Sequence, residues 1–222
     1  MNAPTVNFLH GRQTDDRSKT MNLFFDRLGV MKKLLGIIIL GLFLITPSQA
    51  DDIRDFQIEG MSVGDSLLDY FSKEEIKNFH DFDHLPSDMK FRITEFKKEK
   101  YNKMDQYDGM QIYYKPEDKN FIIYGIAGYN FCTNTECKKL YKQVKNDFLK
   151  NFSGSESINK HPDDKSGKSI ATIYTIEIDD GSILIHYNNM SEDVEWHDTV
   201  VVEISSSEVD KWIKNNWGLG FN

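Results

Sequence analysis

Between Ile170 and Tyr187 the chain alternates side chains on both sides of Asp180-Gly181. Ile170, Thr172, Tyr174, Ile176 and Ile178 recur at every second position, and Ile183, Ile185 and Tyr187 resume the pattern after the turn. A period of two sends alternate side chains to one face of a strand. Asp-Gly supplies the positive backbone angles that a two-residue hairpin needs. This segment therefore commits the chain to an antiparallel hairpin with one face turned to a core.

Other segments read as strands around it. Residues 91–96 are rich in aromatic and β-branched side chains; Met110, Ile112 and Tyr114 alternate with Gln111 and Tyr113. Residues 121–127 are nearly all apolar, as in a central strand, and residues 116–120 form the turn before them. Residues 199–204 make the last strand. Helix starts carry capping boxes, a hydroxyl residue with an acid three positions on. Ser62 with Asp65 precedes Val63, Leu67, Leu68 and Phe71; Ser72 with Glu75 opens a second short helix to about His80. Thr133 with Glu136 opens the longest helix, whose apolar face is Cys137, Leu140, Val144, Phe148 and Phe152. Ser153-Gly154-Ser155 ends it, and residues 159–168 read as a polar loop. Ser205 with Glu208 caps a final helix bearing Val209, Trp212 and Ile213. The expected fold is α+β: two short helices, a three-stranded antiparallel meander, a long helix, a second three-stranded meander and a C-terminal helix.

The N-terminal region reads differently. Met31-Lys32-Lys33 is a positive start, residues 34–45 are apolar or Gly, and Ser48 and Ala50 present small residues at −3 and −1 of a cleavage point. That is the pattern of a secretory signal peptide. The apolar run is shorter than the about 20 residues that span a bilayer, so no stable membrane span is expected after cleavage. Residues 1–30 read as a mis-assigned start or an extension, 31–50 as the signal peptide, and 51–222 as a single α+β domain, or two αβββ modules at 51–130 and 131–222. The expected setting is periplasmic or secreted.

Charge limits the partners. After the first fifty residues the chain holds 21 basic and 32 acidic side chains, a net of −11. Such a surface is repelled by phosphate backbones, and nucleic-acid binding is not expected. Cys132 and Cys137 are the two cysteines. In an exported chain, two cysteines with four residues between them read as a structural disulfide rather than a metal half-site.

Candidate chemistry is sparse, and no cofactor is implied. His80-Asp81-Phe82-Asp83-His84 puts four possible ligands in five residues, and two His at i and i+4 share a face if the segment is helical. Asp81 stands where the H-E-x-x-H pattern has Glu, and Pro86 argues against a helix. Ser166-Gly167-Lys168-Ser169 resembles the tail of a phosphate-binding loop, but Pro162 stands where that loop needs its first Gly. Asp163-Asp164 and Asp179-Asp180-Gly181 read as acidic turns. His186, on the strand face of Leu184, and His197, beside Trp196, read as packed or surface residues.

The run from Ile58 to Leu68, with Gly60-Met61-Ser62 at its centre, resembles the opening of the SmpA/OmlA outer-membrane lipoprotein family. Beta-lactamase inhibitor proteins share the module. The resemblance implies a turn that caps the first of two short helices, a three-stranded meander after them, and a non-catalytic, protein-binding role. The lipobox Cys of that family is missing here. Ser62 is expected to accept backbone N–H groups, with Met61 packed beneath.

The resulting expectation is a non-catalytic interaction module whose partner is another envelope protein. The alternatives are a metal-dependent hydrolase using His80, Asp81, Asp83 and His84, and a binder of small apolar ligands between sheet and helix.

Overall fold

The computed structural model describes residues 52–77, 80–81, 90–98, 104–161 and 164–217. Its strands are β1 (His80–Asp81), β2 (Arg92–Lys97), β3 (Gly109–Tyr114), β4 (Ile123–Phe131), β5 (Ser155–Lys160), β6 (Ile170–Ile178), β7 (Gly181–Asn189) and β8 (Thr199–Ser206). The helices are α1 (Lys73–Lys77), α2 (Asn134–Phe148) and α3 (Ser207–Trp217).

The expected pair of three-stranded meanders is corrected here, although the α+β class holds. All eight strands form one antiparallel sheet in the order β1-β2-β3-β4-β8-β7-β6-β5. The join is β4 against β8, with Ile126 opposite Ile204 and Ala127 opposite Glu203. Ile123, Ile126, Ala127 and Tyr129 of β4 are buried, as are Val200, Val202 and Ile204 of β8. Strands buried on both faces belong at the centre of a sheet; two separate meanders would leave both as bare edges.

Two expected elements change. The first short helix is only a 3-10 turn at Leu67–Asp69, capped by Ser66, whose Oγ accepts the Leu68 N–H at 3.2 Å. Half of the Ser62–Asp65 box forms: Asp65 Oδ2 accepts the Ser62 N–H at 2.9 Å. Met61 packs in the core as expected, and Gly60 takes a positive φ of 80° at the turn. The second short helix stops at Lys77, and His80 is already in a strand.

The helices lie on opposite faces. On one face α2 packs over β7 and β8, and the Tyr141 and Tyr187 rings stand 6.1 Å apart. On the other, Val209, Trp212 and Ile213 of α3 enclose Phe91, Ile93 and Tyr113. The α2 face differs from the sequence reading: Tyr141 is buried and Leu140 only partly so. Phe152 lies beyond the helix and packs edge-on against Phe56 at 5.5 Å. Among the described residues no helix is long and apolar enough to cross a membrane.

Candidate functional site

The sequence pattern does not show β5: it puts Ser155 at a helix terminus and Asn159 and Lys160 in a polar loop, and assigns residues 156–158 to no element. The strand pairs with β6 through six residues, from Ser155 opposite Thr175 to Lys160 opposite Ile170. Gly154 lets it start close to β6: a Cβ there would lie 2.3 Å from the Thr175 carbonyl oxygen. Among the described residues no strand pairs with the other side of β5, which is the outer edge of the sheet. Five of its residues are exposed and Ser157 is partly so. Ile158 is 69% exposed, against 46% for Leu149 and 40% for Leu68.

β5 is held by α2. Glu156 Oε2 accepts the Tyr141 O–H at 2.7 Å and the Lys145 Nζ at 2.5 Å. These bonds, Lys145's first, hold the Glu156 carboxyl below its usual range, while burial and Glu156 push the Tyr141 phenol up. α2 is fixed at its own start. The Cys132–Cys137 disulfide, expected from the sequence, links the end of β4 to the first turn, and Glu136 Oε2 accepts from the Thr133 N–H at 3.1 Å and hydroxyl at 2.7 Å. Core, disulfide, helix and edge strand are thus one mechanical chain. Glu156, Ile158 and Lys160 share the α2 face of β5, and Ser157 and Asn159 share the other.

A second feature lies on the face opposite α2. Glu203 of β8 and His186 of β7 approach to 3.9 Å (Oε2 to Nε2). Among the described residues Glu203 Oε1 and His186 Nε2 have no hydrogen-bond partner. Burial, with Asp210 adding, pushes the Glu203 carboxyl up to about 8. Burial, with His161 adding, pushes the His186 imidazole down to about 4. The distance fits an ion pair, but burial favours the neutral form of both groups, so at neutral pH they meet as carboxylic acid and neutral imidazole. His186 shares its face with Leu184, as read from the sequence. His197 is exposed, edge-on to Phe131 at 5.8 Å.

The remaining candidates are dispersed. His80 and Asp81 stand in β1, an extended strand, so the helical i, i+4 argument does not apply there. Asp83 and His84 lie outside the described residues. Among the described residues no three His, Cys, Asp or Glu gather around a possible metal. In the Ser166–Ser169 segment the backbone N–H groups turn inward to Asp164, which accepts from Ser166 at 2.8 Å, Lys168 at 3.1 Å and Ser169 at 2.7 Å. Those bonds hold Asp164 well below the usual carboxylate range and leave a closed turn, not a phosphate cradle. Asp163 lies outside the described residues; the β6–β7 turn is Asp179-Asp180 rather than the expected Asp180-Gly181, since Ile178 pairs with Gly181, no residue of the turn takes a positive φ, and Gly181 instead serves close approach to β8, where a Cβ would lie 2.0 Å from the Ser205 carbonyl oxygen. A cavity of about 110 Å³ lies among Met61, Phe71, Phe96, Met104 and Met110. Pockets for drug-sized ligands hold roughly 300–1,000 Å³, so this one admits only a very small apolar guest.

Comparison with family models, with curated proteins and with solved structures finds no match.

Proposed function

We propose that this chain is a non-catalytic protein-interaction module working outside the cytoplasm, and that it docks its partner along the free edge of β5. The observation that carries this reading is a six-residue edge strand with Ile158 turned to solvent. An edge strand offers a row of outward N–H and C=O groups, and a second chain can add to it as a further strand. Backbone hydrogen bonds then supply affinity, and alternate side chains supply selectivity. The resemblance of the Ile58–Leu68 run to a protein-binding module and the signal-peptide pattern point the same way. The polar pair Glu203–His186 is buried and suits a structural, pH-sensitive role better than turnover of a substrate.

A photo-crosslinking residue at position 158, with one at exposed Leu149 as control, tests the reading in the producing cell. The expected result is an adduct from position 158 alone, with β5 amides gaining hydrogen-exchange protection in the isolated complex. Equal adducts from both positions, or unprotected β5 amides, would remove β5 as the docking element.

A further inference from the structure

We infer that the partner received by β5 is a second copy of this chain, paired antiparallel about a two-fold axis through Ile158. The inference rests on β5 being the docking edge and adds the identity of what docks there. Its argument is register. In a continuous antiparallel sheet, facing residues point to the same side, so a one-residue slip is forbidden and only steps of two are available. With the axis at Ile158, Glu156 faces Lys160 of the second copy, Lys160 faces its Glu156, and Ile158 faces Ile158. Ser157 faces Asn159, two side chains that already bond to each other along the strand at 3.2 Å. A slip of two in either direction sets Ile158 against Glu156 or against Lys160. One register thus matches opposite charges, apolar with apolar and hydroxyl with amide, the pairings that stabilise cross-strand neighbours.

The side chains are placed for it. Tyr141 and Lys145 both bond Glu156 through Oε2, and Lys160 makes no ion pair among the described residues. An interface built on one six-residue strand is small, so the dimer is weak and depends on concentration.

Sedimentation of the purified protein from low micromolar to millimolar concentration tests the inference together with charge exchange. The mass should rise from one chain towards two. Lys160→Glu and Glu156→Lys, each alone, set like charges opposite each other twice and should weaken self-association roughly tenfold. Mixing the two variants should restore a heterodimer, because each altered charge then meets its opposite. Circular dichroism melts report whether each variant folds. Ile158→Cys keeps both charged residues; its thiol is the only free one, since Cys132 and Cys137 are bonded, and oxidation should yield a disulfide-linked dimer. A monomer at all concentrations, charge variants that associate like the parent, or no linked dimer from a folded Ile158→Cys protein would each overturn the inference. If position 158 crosslinks to a different chain, strand addition stands and self-pairing falls; with no adduct at all, both fall.

Discussion

The phenol of Tyr141 on α2 donates to Glu156 Oε2 on β5 at 2.7 Å. That bond ties the outermost strand to a helix which is itself pinned to the sheet centre, so β5 is a bare edge with a rigid backing. Such an edge can bind without first being ordered, which lowers the cost of association.

Removing the phenol oxygen should loosen β5 selectively. Tyr141→Phe keeps the ring packed against Tyr187 and deletes the hydroxyl. A loss of about 1 kcal/mol in denaturant unfolding is expected. Hydrogen exchange should accelerate in β5 and not in β7 or β8.

Gly154→Ala asks whether close approach sets the strand. Its Cβ would sit 2.3 Å from the Thr175 oxygen, and overpacking of this kind costs about 1–3 kcal/mol. The expected outcome is a lower melting temperature together with β5 detached from β6, seen as lost amide protection at residues 155–160. Unchanged protection there would show that β5 can start elsewhere.

Opposite shifts on Glu203 and His186 give a defined pH profile. Glu203 is raised from 4.5 to about 8 in the folded state, so the stability it leaves intact is complete below pH 4.5 and is lost as pH rises through 8. His186 is lowered from 6.5 to about 4, so its share is complete above pH 6.5 and is lost as pH falls through 4. Between 4.5 and 6.5 the two slopes cancel, and above 6.5 only the Glu203 slope remains. Stability should therefore fall by about 2 kcal/mol from pH 6.5 to 8, at roughly 1.4 kcal/mol per unit. Glu203→Gln should abolish that fall, measured by urea unfolding across the range.

Reduction of Cys132–Cys137 should cost about 2 kcal/mol, the chain-entropy value for so short a loop. The loss should appear first as fraying of the α2 start, because Thr133 and Glu136 cap the same turn. Exchange rates with and without reductant would check it. Equal rates would mean that the capping bonds alone hold the helix.

Much of the framework was legible in the chain. The alternation around Asp180-Gly181 produced β6 and β7, and the apolar run at 121–127 gave a central strand. Both are written as local periodicity, which burial on one or both faces imposes. β5 was not legible. Ser155–Lys160 faces solvent on its outer side, so burial imposes no apolar alternation on it; its strand state comes from pairing with β6. The Glu203–His186 pair was hidden for a related reason. It joins residues of two different strands, and what brings them together is the β7–β8 register.

By itself the sequence determined the hairpin, the long capped helix, the disulfide and the acidic balance, because each depends on neighbours within a few residues or on composition alone. Only the tertiary structure decided that β4 meets β8 to make one sheet, that α2 and α3 take opposite faces, and that β5 is the edge left open. Those outcomes depend on which buried surfaces find each other across long stretches of chain, a competition among non-local contacts that no short window of residues records.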